Sequence, residues 1–154
     1  MRVVIQRVNS ASVSIDGKLY SSIEKGILAL IGISPEDDES VLRTVAEKML
    51  SLRIFTDQED KMNLSLSDVG GKLLAVSQFT LYADCRKGRR PSFTDAAGGE
   101  IAEKLYNRFI EICEEILGQK PMTGEFGADM KISLENDGPV TIILDSKDLN
   151  IKKV

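Results

Sequence analysis

Ser77-Gln78-Phe79-Thr80-Leu81 carries three polar side chains in four positions at the end of an apolar run. A half-buried strand ordinarily alternates, so the cluster stands out. Backbone N–H groups at a strand end are free of the ladder and can face a ligand, so this segment could stabilise a developing oxyanion. An edge strand with one wetted face would give the same pattern. Thr80 could serve as a nucleophile only beside a base, and the sequence contains no His. That absence excludes a Ser-His-Asp triad, a Cys-His dyad and imidazole-bound zinc or haem. An enzyme built on this chain moves protons without imidazole.

Two other segments could bear on chemistry. Arg86-Lys87-Gly88-Arg89-Arg90 places four cations in five residues of a chain whose net charge is -4. Such a loop attracts an anion, and phosphate contacts from it would position a nucleic acid without reading its bases. It is equally compatible with a solvated basic loop. Asn136-Asp137-Gly138-Pro139 has the composition of a turn: Gly supplies unusual φ, and Pro lacks the N–H that a central strand needs. The simple expectation is a hairpin connection. Asp145 follows a strand and reads as a cap or a ligand. Glu100, Glu103, Glu111, Glu114 and Glu115 read as the solvent face of a helix.

The composition limits what remains. The absence of Trp and an aromatic content of 5% argue against a stacking platform for single-stranded nucleic acid. Cys85 and Cys113 are far apart. Cys113, among Ile112, Ile116 and Leu117, reads as a small core residue, and two lone thiols fit a reducing compartment. No residue set points to a metal or a cofactor. The opening residues, with Arg2 and Arg7 among valines, lack the apolar run of a secretory signal, and Gly26–Ile33 is too short to span a bilayer. A cytoplasmic protein without membrane contact is the expectation.

The elements that must position these residues follow from periodicity. The length of 154 residues fits one domain over 1–154. Met1–Val8 and Ala11–Ile15 read as strand, Asp16-Gly17 as a hairpin turn, and Leu19–Ile23 as the returning arm. Gly26–Ile33 reads as a strand buried on both faces. A helix is expected with Ser34 as N-cap, Pro35 at its first position and Asp37 at its third, burying Val41, Val45, Met49 and Leu52. Leu52–Phe55 reads as a short strand and Thr56–Gly71 as a loop or irregular hairpin. Lys72–Leu81 returns to strand. A second helix is expected from about Asp95 to Leu117, burying Ile101, Leu105, Phe109, Ile112 and Ile116, with Gly118 past its end. Pro121–Ala128 reads as loop. Met130–Leu134 and Val140–Leu144 read as two strands. Lys152 and Lys153 carry no usable signal. Eight or so strands and two helices give an α/β class with two β layers and both helices packed on one side.

Taken together, Ser77-Gln-Phe-Thr-Leu81 and Asn136-Asp-Gly-Pro-Val-Thr141 resemble the two signature motifs of D-aminoacyl-tRNA deacylases. The resemblance extends to Met1-Arg-Val-Val-Ile-Gln-Arg-Val8, Lys87-Gly-Arg-Arg-Pro-Ser-Phe93 and Thr123-Gly-Glu-Phe-Gly-Ala-Asp-Met130, nearly the whole chain. It implies a cytoplasmic homodimer with a barrel-like β core. It also implies hydrolysis of the ester between a D-amino acid and the terminal adenosine of tRNA. Glycyl-tRNA, including glycine misplaced on alanine tRNA, would also be cleaved and L-aminoacyl-tRNA rejected.

The same resemblance implies residue roles. Ser77, Gln78, Phe79 and Thr80 would form the catalytic segment, with the Phe79 and Thr80 N–H groups as oxyanion hole and Gln78 on the adenosine. Gly138-Pro139, in cis, would enter the partner protomer's pocket and exclude an L side chain. Met130 would help close the pocket, and Arg86, Lys87, Arg89 and Arg90 would meet tRNA phosphates. Hydrolysis assisted by the ribose 2′-hydroxyl is the expected mechanism, with a covalent Thr80 as its rival. The alternative from another class is a tRNA- or DNA-binding module without catalysis.

Overall fold

The computed structural model describes residues 1–151; Lys152 and Lys153 lie outside the described residues. The architecture is mixed α/β, a nearly closed barrel-like sheet with two helices on one side, as the sequence leads one to expect.

One long strand organises the sheet. β1 (Arg2–Ile15) runs through both segments that the sequence separates. Its first half pairs antiparallel with β3 (Gly26–Gly32), from Arg2↔Gly32 to Val8↔Gly26. Its second half pairs with β2 (Lys18–Ile23) across the Asp16-Gly17 turn, where φ is positive at both residues. Beyond β3 lies β6 (Lys72–Ser77), parallel to it, and then β7 (Met122–Thr123), in what the sequence suggests is loop. The Ser21 hydroxyl donates to the Thr123 carbonyl at 2.7 Å, drawing β2 towards β7 and nearly closing the curl.

Strand alternation divides the apolar residues between two cores. Leu28 of β3, Leu74 and Val76 of β6, and Val8, Ala11 and Val13 of β1 fill the barrel. Ile27, Ala29, Ile31, Leu73 and Ala75 face the other way, against the helices. The expectation that Gly26–Ile33 is buried on both faces holds for this reason.

The helix boundaries differ from the periodicity reading. α1 is Glu39–Ser51 and its N-cap is Asp38, whose carboxylate accepts from the Val41 N–H at 3.0 Å. Ser34 does not cap it. Ser34–Asp37 is a turn in which the Asp37 carboxylate accepts from the Ser34 N–H at 2.8 Å and pairs with the Met1 amino group at 2.6 Å. A buried ion pair claims Asp37, and the N-cap falls one residue beyond it, at Asp38. α2 is Gly99–Leu117, later than Asp95, and ends on Gly118 in the left-handed region. Its buried row includes Ala102, Tyr106, Phe109 and Cys113, while Ile101 and Ile116 are exposed. In sequence between α1 and β6, β4 (Phe55–Thr56) and β5 (Met62–Leu64) form the irregular hairpin.

The last strand corrects the hairpin expectation. β8 (Met130–Asp145) lies along the second edge of β1 over its whole length, Ile15↔Met130 to Arg2↔Asp145. The two apolar runs do not fold back on each other. The register jumps between Val8↔Asn136 and Gln6↔Thr141, so residues 137–140 bulge out of one continuous strand.

Candidate active site

The chain leaves the sheet at the end of β6. Gln78 N–H donates to the Ile31 carbonyl at 2.8 Å, the last bond to β3. Phe79–Tyr82 then wind into a 3₁₀ turn rather than continuing as strand to Leu81. The first N–H groups of such a turn have no acceptor within it. Leu81 N–H bonds the Gln78 carbonyl and Ala83 N–H the Thr80 carbonyl, which leaves the Phe79 and Thr80 N–H groups without a protein acceptor among the described residues. The Gln78 amide also donates to the Thr80 hydroxyl.

Arg2 fixes the far end of this turn. Its guanidinium donates to the Leu81 carbonyl at 2.7 Å and to Asp145 at 3.0 Å, and it lies 4.9 Å from the Tyr82 ring centroid. Asp145 is thus an ion-pair partner, and it also caps the turn that follows by accepting from Lys147 N–H at 3.0 Å. Burial works against its charge, but the bonds from Lys147 and Arg2 outweigh that and hold its carboxyl below the usual range.

A cavity of about 610 Å³ opens beside the turn. Ser77, Gln78 and Phe79 form one wall, Phe93 and Ala97 another, and Phe126 and Met130 a third. Ser77 and Gln78 are half-buried. Thr80 is exposed and does not line the cavity. Met130 lies at the wall. Its sulfur rests directly over Gly124, where a side chain would displace it. Beneath the floor, the Tyr106 hydroxyl donates to the Ala75 carbonyl at 2.8 Å, and burial pushes its pKa well up.

Gly138 and Pro139 are elsewhere. They are exposed, joined by a cis peptide bond, and do not line the cavity of their own chain. The bulge they form is braced from within. Asn136 accepts from Val140 N–H at 2.8 Å and donates to the Val140 carbonyl at 3.1 Å and to Gln6 at 3.2 Å. Buried Arg7 donates to the Asp137 carbonyl at 2.9 Å and to the Ile54 carbonyl at 2.7 Å, and faces the Asp137 carboxylate at 3.4 Å. Gly138 has φ +143°, and a Cβ there would come within 2.8 Å of Val140. Only glycine fits.

The basic loop is closed at its base by two backbone bonds between Asp84 and Ser92, at 2.7 and 2.9 Å. Its cations are not equivalent. Arg86 is clasped by Asp84 at 2.8 Å, and this side-chain bond, with one from the Arg86 N–H, draws the Asp84 carboxyl down to about 2. Lys87, Arg89 and Arg90 are exposed and have no acidic partner among the described residues.

A family profile described as D-Tyr-tRNA(Tyr) deacylase matches residues 4–145. A protein of Clostridium tetani named D-aminoacyl-tRNA deacylase is 57% identical over 147 residues, covering 96% of this chain and 98% of that one. Its Clostridium botulinum counterpart, with the same name, is 58% identical over 147 residues with the same coverage. Similar solved structures include two of note. One titled "c-Myc DNA Unwinding Element Binding Protein" has TM-score 0.88 and 41% identity, covering 94% of this chain and 98% of that one. One titled a probable eukaryotic D-amino acid tRNA deacylase has TM-score 0.79 and 21% identity over 93% and 97%, a likeness of fold.

The chain belongs to this deacylase family. It is a hydrolase of carboxylic esters, a D-aminoacyl-tRNA deacylase by family. Among the described residues of this deacylase, no group of three or more acidic or Cys side chains could hold a metal ion, and no helix is long and apolar enough to cross a membrane.

The residues that hold the site leave little mark in the sequence. Arg7 had a signal: a cation inside an apolar strand must find partners if it is buried. Asn136 was visible only as a turn former. Nothing local in the sequence distinguishes Arg2 or Gly124.

Proposed function

We propose that this deacylase releases D-amino acids from tRNA, and glycine from glycyl-tRNA, including glycine misplaced on alanine tRNA, while sparing L-aminoacyl-tRNA. The N–H groups of Phe79 and Thr80, unclaimed among the described residues and beside a cavity of about 610 Å³, carry this reading. An ester carbonyl seated against them gains two donors as its oxygen becomes an oxyanion. Water attacks the carbonyl carbon, the acyl–oxygen bond breaks, and the proton passes to the departing ribose oxygen. The neighbouring 2′-hydroxyl of the tRNA relays that proton in a chain that has no His. Ser77 and Gln78 position the acyl-adenosine, and Met130 closes the wall. Lys87, Arg89 and Arg90, with Arg86 in a lesser part, meet the phosphates of the acceptor end.

Chirality is read by a second copy of the chain. Gly138-Pro139 is exposed, rigidly braced and outside its own cavity, so it is available to a partner protomer. Inserted there, its carbonyls hold the substrate amino group and leave no space for an L side chain, while glycine has no side chain to exclude. A homodimer acting in the cytoplasm, where charged tRNA is used, follows from this reading.

The test is hydrolysis of D-tyrosyl-tRNA beside L-tyrosyl-tRNA with chelator present. Release of D alone supports the reading, and release of neither sinks it. An acyl-Thr80 species trapped from the same reaction would replace the 2′-hydroxyl mechanism with a covalent one.

A second reading, a nucleic-acid-binding module without catalysis, is favoured by the unpaired cations at 87, 89 and 90. The 41%-identical structure titled for DNA unwinding element binding points the same way. Binding of DNA with salt dependence, and no hydrolysis of D-tyrosyl-tRNA, would select it.

A further inference from the structure

The chemistry above uses the backbone of Phe79 and leaves two exposed rings unexplained. The chain has five Phe. Phe55 and Phe109 are fully buried, whereas Phe79 is 55% and Phe93 38% exposed. Phe79 and Phe93 meet edge to face, with ring centroids 5.1 Å apart and planes at 75°. In such a pair the ring that offers its edge keeps both faces open, and its partner keeps one. Both rings border the cavity. Ser92, directly before Phe93, closes the loop that carries Lys87, Arg89 and Arg90. Aromatic surface, cavity mouth and free cations are therefore contiguous.

We infer that Phe93, backed by Phe79, is a stacking subsite for the base of the unpaired nucleotide that precedes the terminal adenosine of a tRNA acceptor end. The inference rests on the deacylase reading for its occupant. With the acyl-adenosine in the cavity, the preceding nucleotide lies at the mouth, and its phosphate comes within reach of the basic loop. Every base offers a π face, so stacking there grips the strand without selecting a sequence. The adjoining loop favours this occupant over a protein: Lys87 and Arg90 line a recess with Ser92, directly before Phe93, and have no acidic partner among the described residues. The low aromatic content argues against a stacking platform for a single strand, but two rings placed together suffice for one base.

The test is a double-mutant cycle on binding of the trinucleotide cytidyl-cytidyl-adenosine. One arm changes the protein, Phe93→Leu, which keeps apolar volume and removes the π face. The other removes the middle base from the trinucleotide. Each change alone is expected to weaken binding roughly tenfold, and the two together little more than either. Phe93→Trp should bind at least as tightly as the parent. If Phe93→Leu weakens the abasic trinucleotide as much as the intact one, Phe93 acts by packing and the subsite is refuted. No effect of Phe93→Leu on either ligand refutes it as well. Hydrolysis of the D-tyrosyl ester of the same trinucleotide by the parent protein is measured in parallel. Base-dependent binding with an intact ester would remove the deacylase reading and leave the stacking subsite standing.

Discussion

Arg7 donates to the carbonyl of Asp137, 130 residues away, at 2.9 Å, and so ties the Gly138-Pro139 bulge to the middle of β1. The same guanidinium holds the Ile54 carbonyl at 2.7 Å. Arg7→Met would leave two carbonyls without their donor. The expected loss of stability is about 1–3 kcal/mol, read by urea denaturation. The loosened bulge should also let L-tyrosyl-tRNA be cleaved measurably. Arg7→Lys should rescue little, because a point cation cannot span both carbonyls as a planar fork does. Unchanged D-over-L selectivity in a folded Arg7→Met protein would count against the chirality argument.

Arg2 acts at the other motif. It bonds the Leu81 carbonyl at the end of the turn that begins with Phe79 and Thr80. Arg2→Met should lower kcat roughly tenfold, short of the ~10²–10³ that loss of an oxyanion donor costs, with KM little changed. Acid sensitivity follows from its partner. The Asp145 carboxyl lies below its ordinary value of 3.8 in the folded chain. Its contribution is therefore present above 3.8 and lost as pH falls below it. Arg2→Met should flatten the acid limb of a stability–pH curve below pH 3.8, followed by circular dichroism. An unchanged limb would remove Arg2 from that role.

How much of this was legible in the chain differs between elements. Both faces of β3 were, because Ile27, Ala29 and Ile31 alternate with Leu28 and Leu30 and all are apolar. The Ser77–Leu81 motif could be placed, but not its geometry: no period marks where a strand gives way to a single 3₁₀ turn. The β8 bulge carries the turn chemistry of a hairpin in Asn136-Asp-Gly-Pro139, and only the distant β1 shows that both flanking runs pair with one strand. Arg2 and Arg7 hold carbonyls on segments remote in sequence, and such contacts leave no local pattern.

Gly124 offers a test of the cavity wall. Met130 rests over it, and a methyl group there must push the thioether aside. Gly124→Ala should cost about 1–3 kcal/mol as overpacking does and raise KM for D-tyrosyl-tRNA by displacing Met130 into the cavity. Combining it with Met130→Ala should restore part of the stability, because the smaller side chain yields the space. Additive losses in the pair would show that the two residues do not share a site.

The two cysteines separate by environment. Burial pushes the Cys113 thiol up to about 12, on a fully buried face of α2, whereas Cys85 is exposed on the basic loop. The thiolate is the reactive form, so a disulfide reagent at pH 8 should modify Cys85 alone in the folded chain and reach Cys113 only after denaturation. A neutral, bulky adduct at Cys85 sits between Asp84 and Arg86, whose side chains pair at 2.8 Å, and should disturb the closed loop. If that loop grips phosphates, the adduct raises KM for charged tRNA and leaves hydrolysis of a D-aminoacyl-adenosine ester untouched, a split that steady-state kinetics on the two substrates reads directly. Equal loss on both would mean that the loop supports the cavity rather than the tRNA.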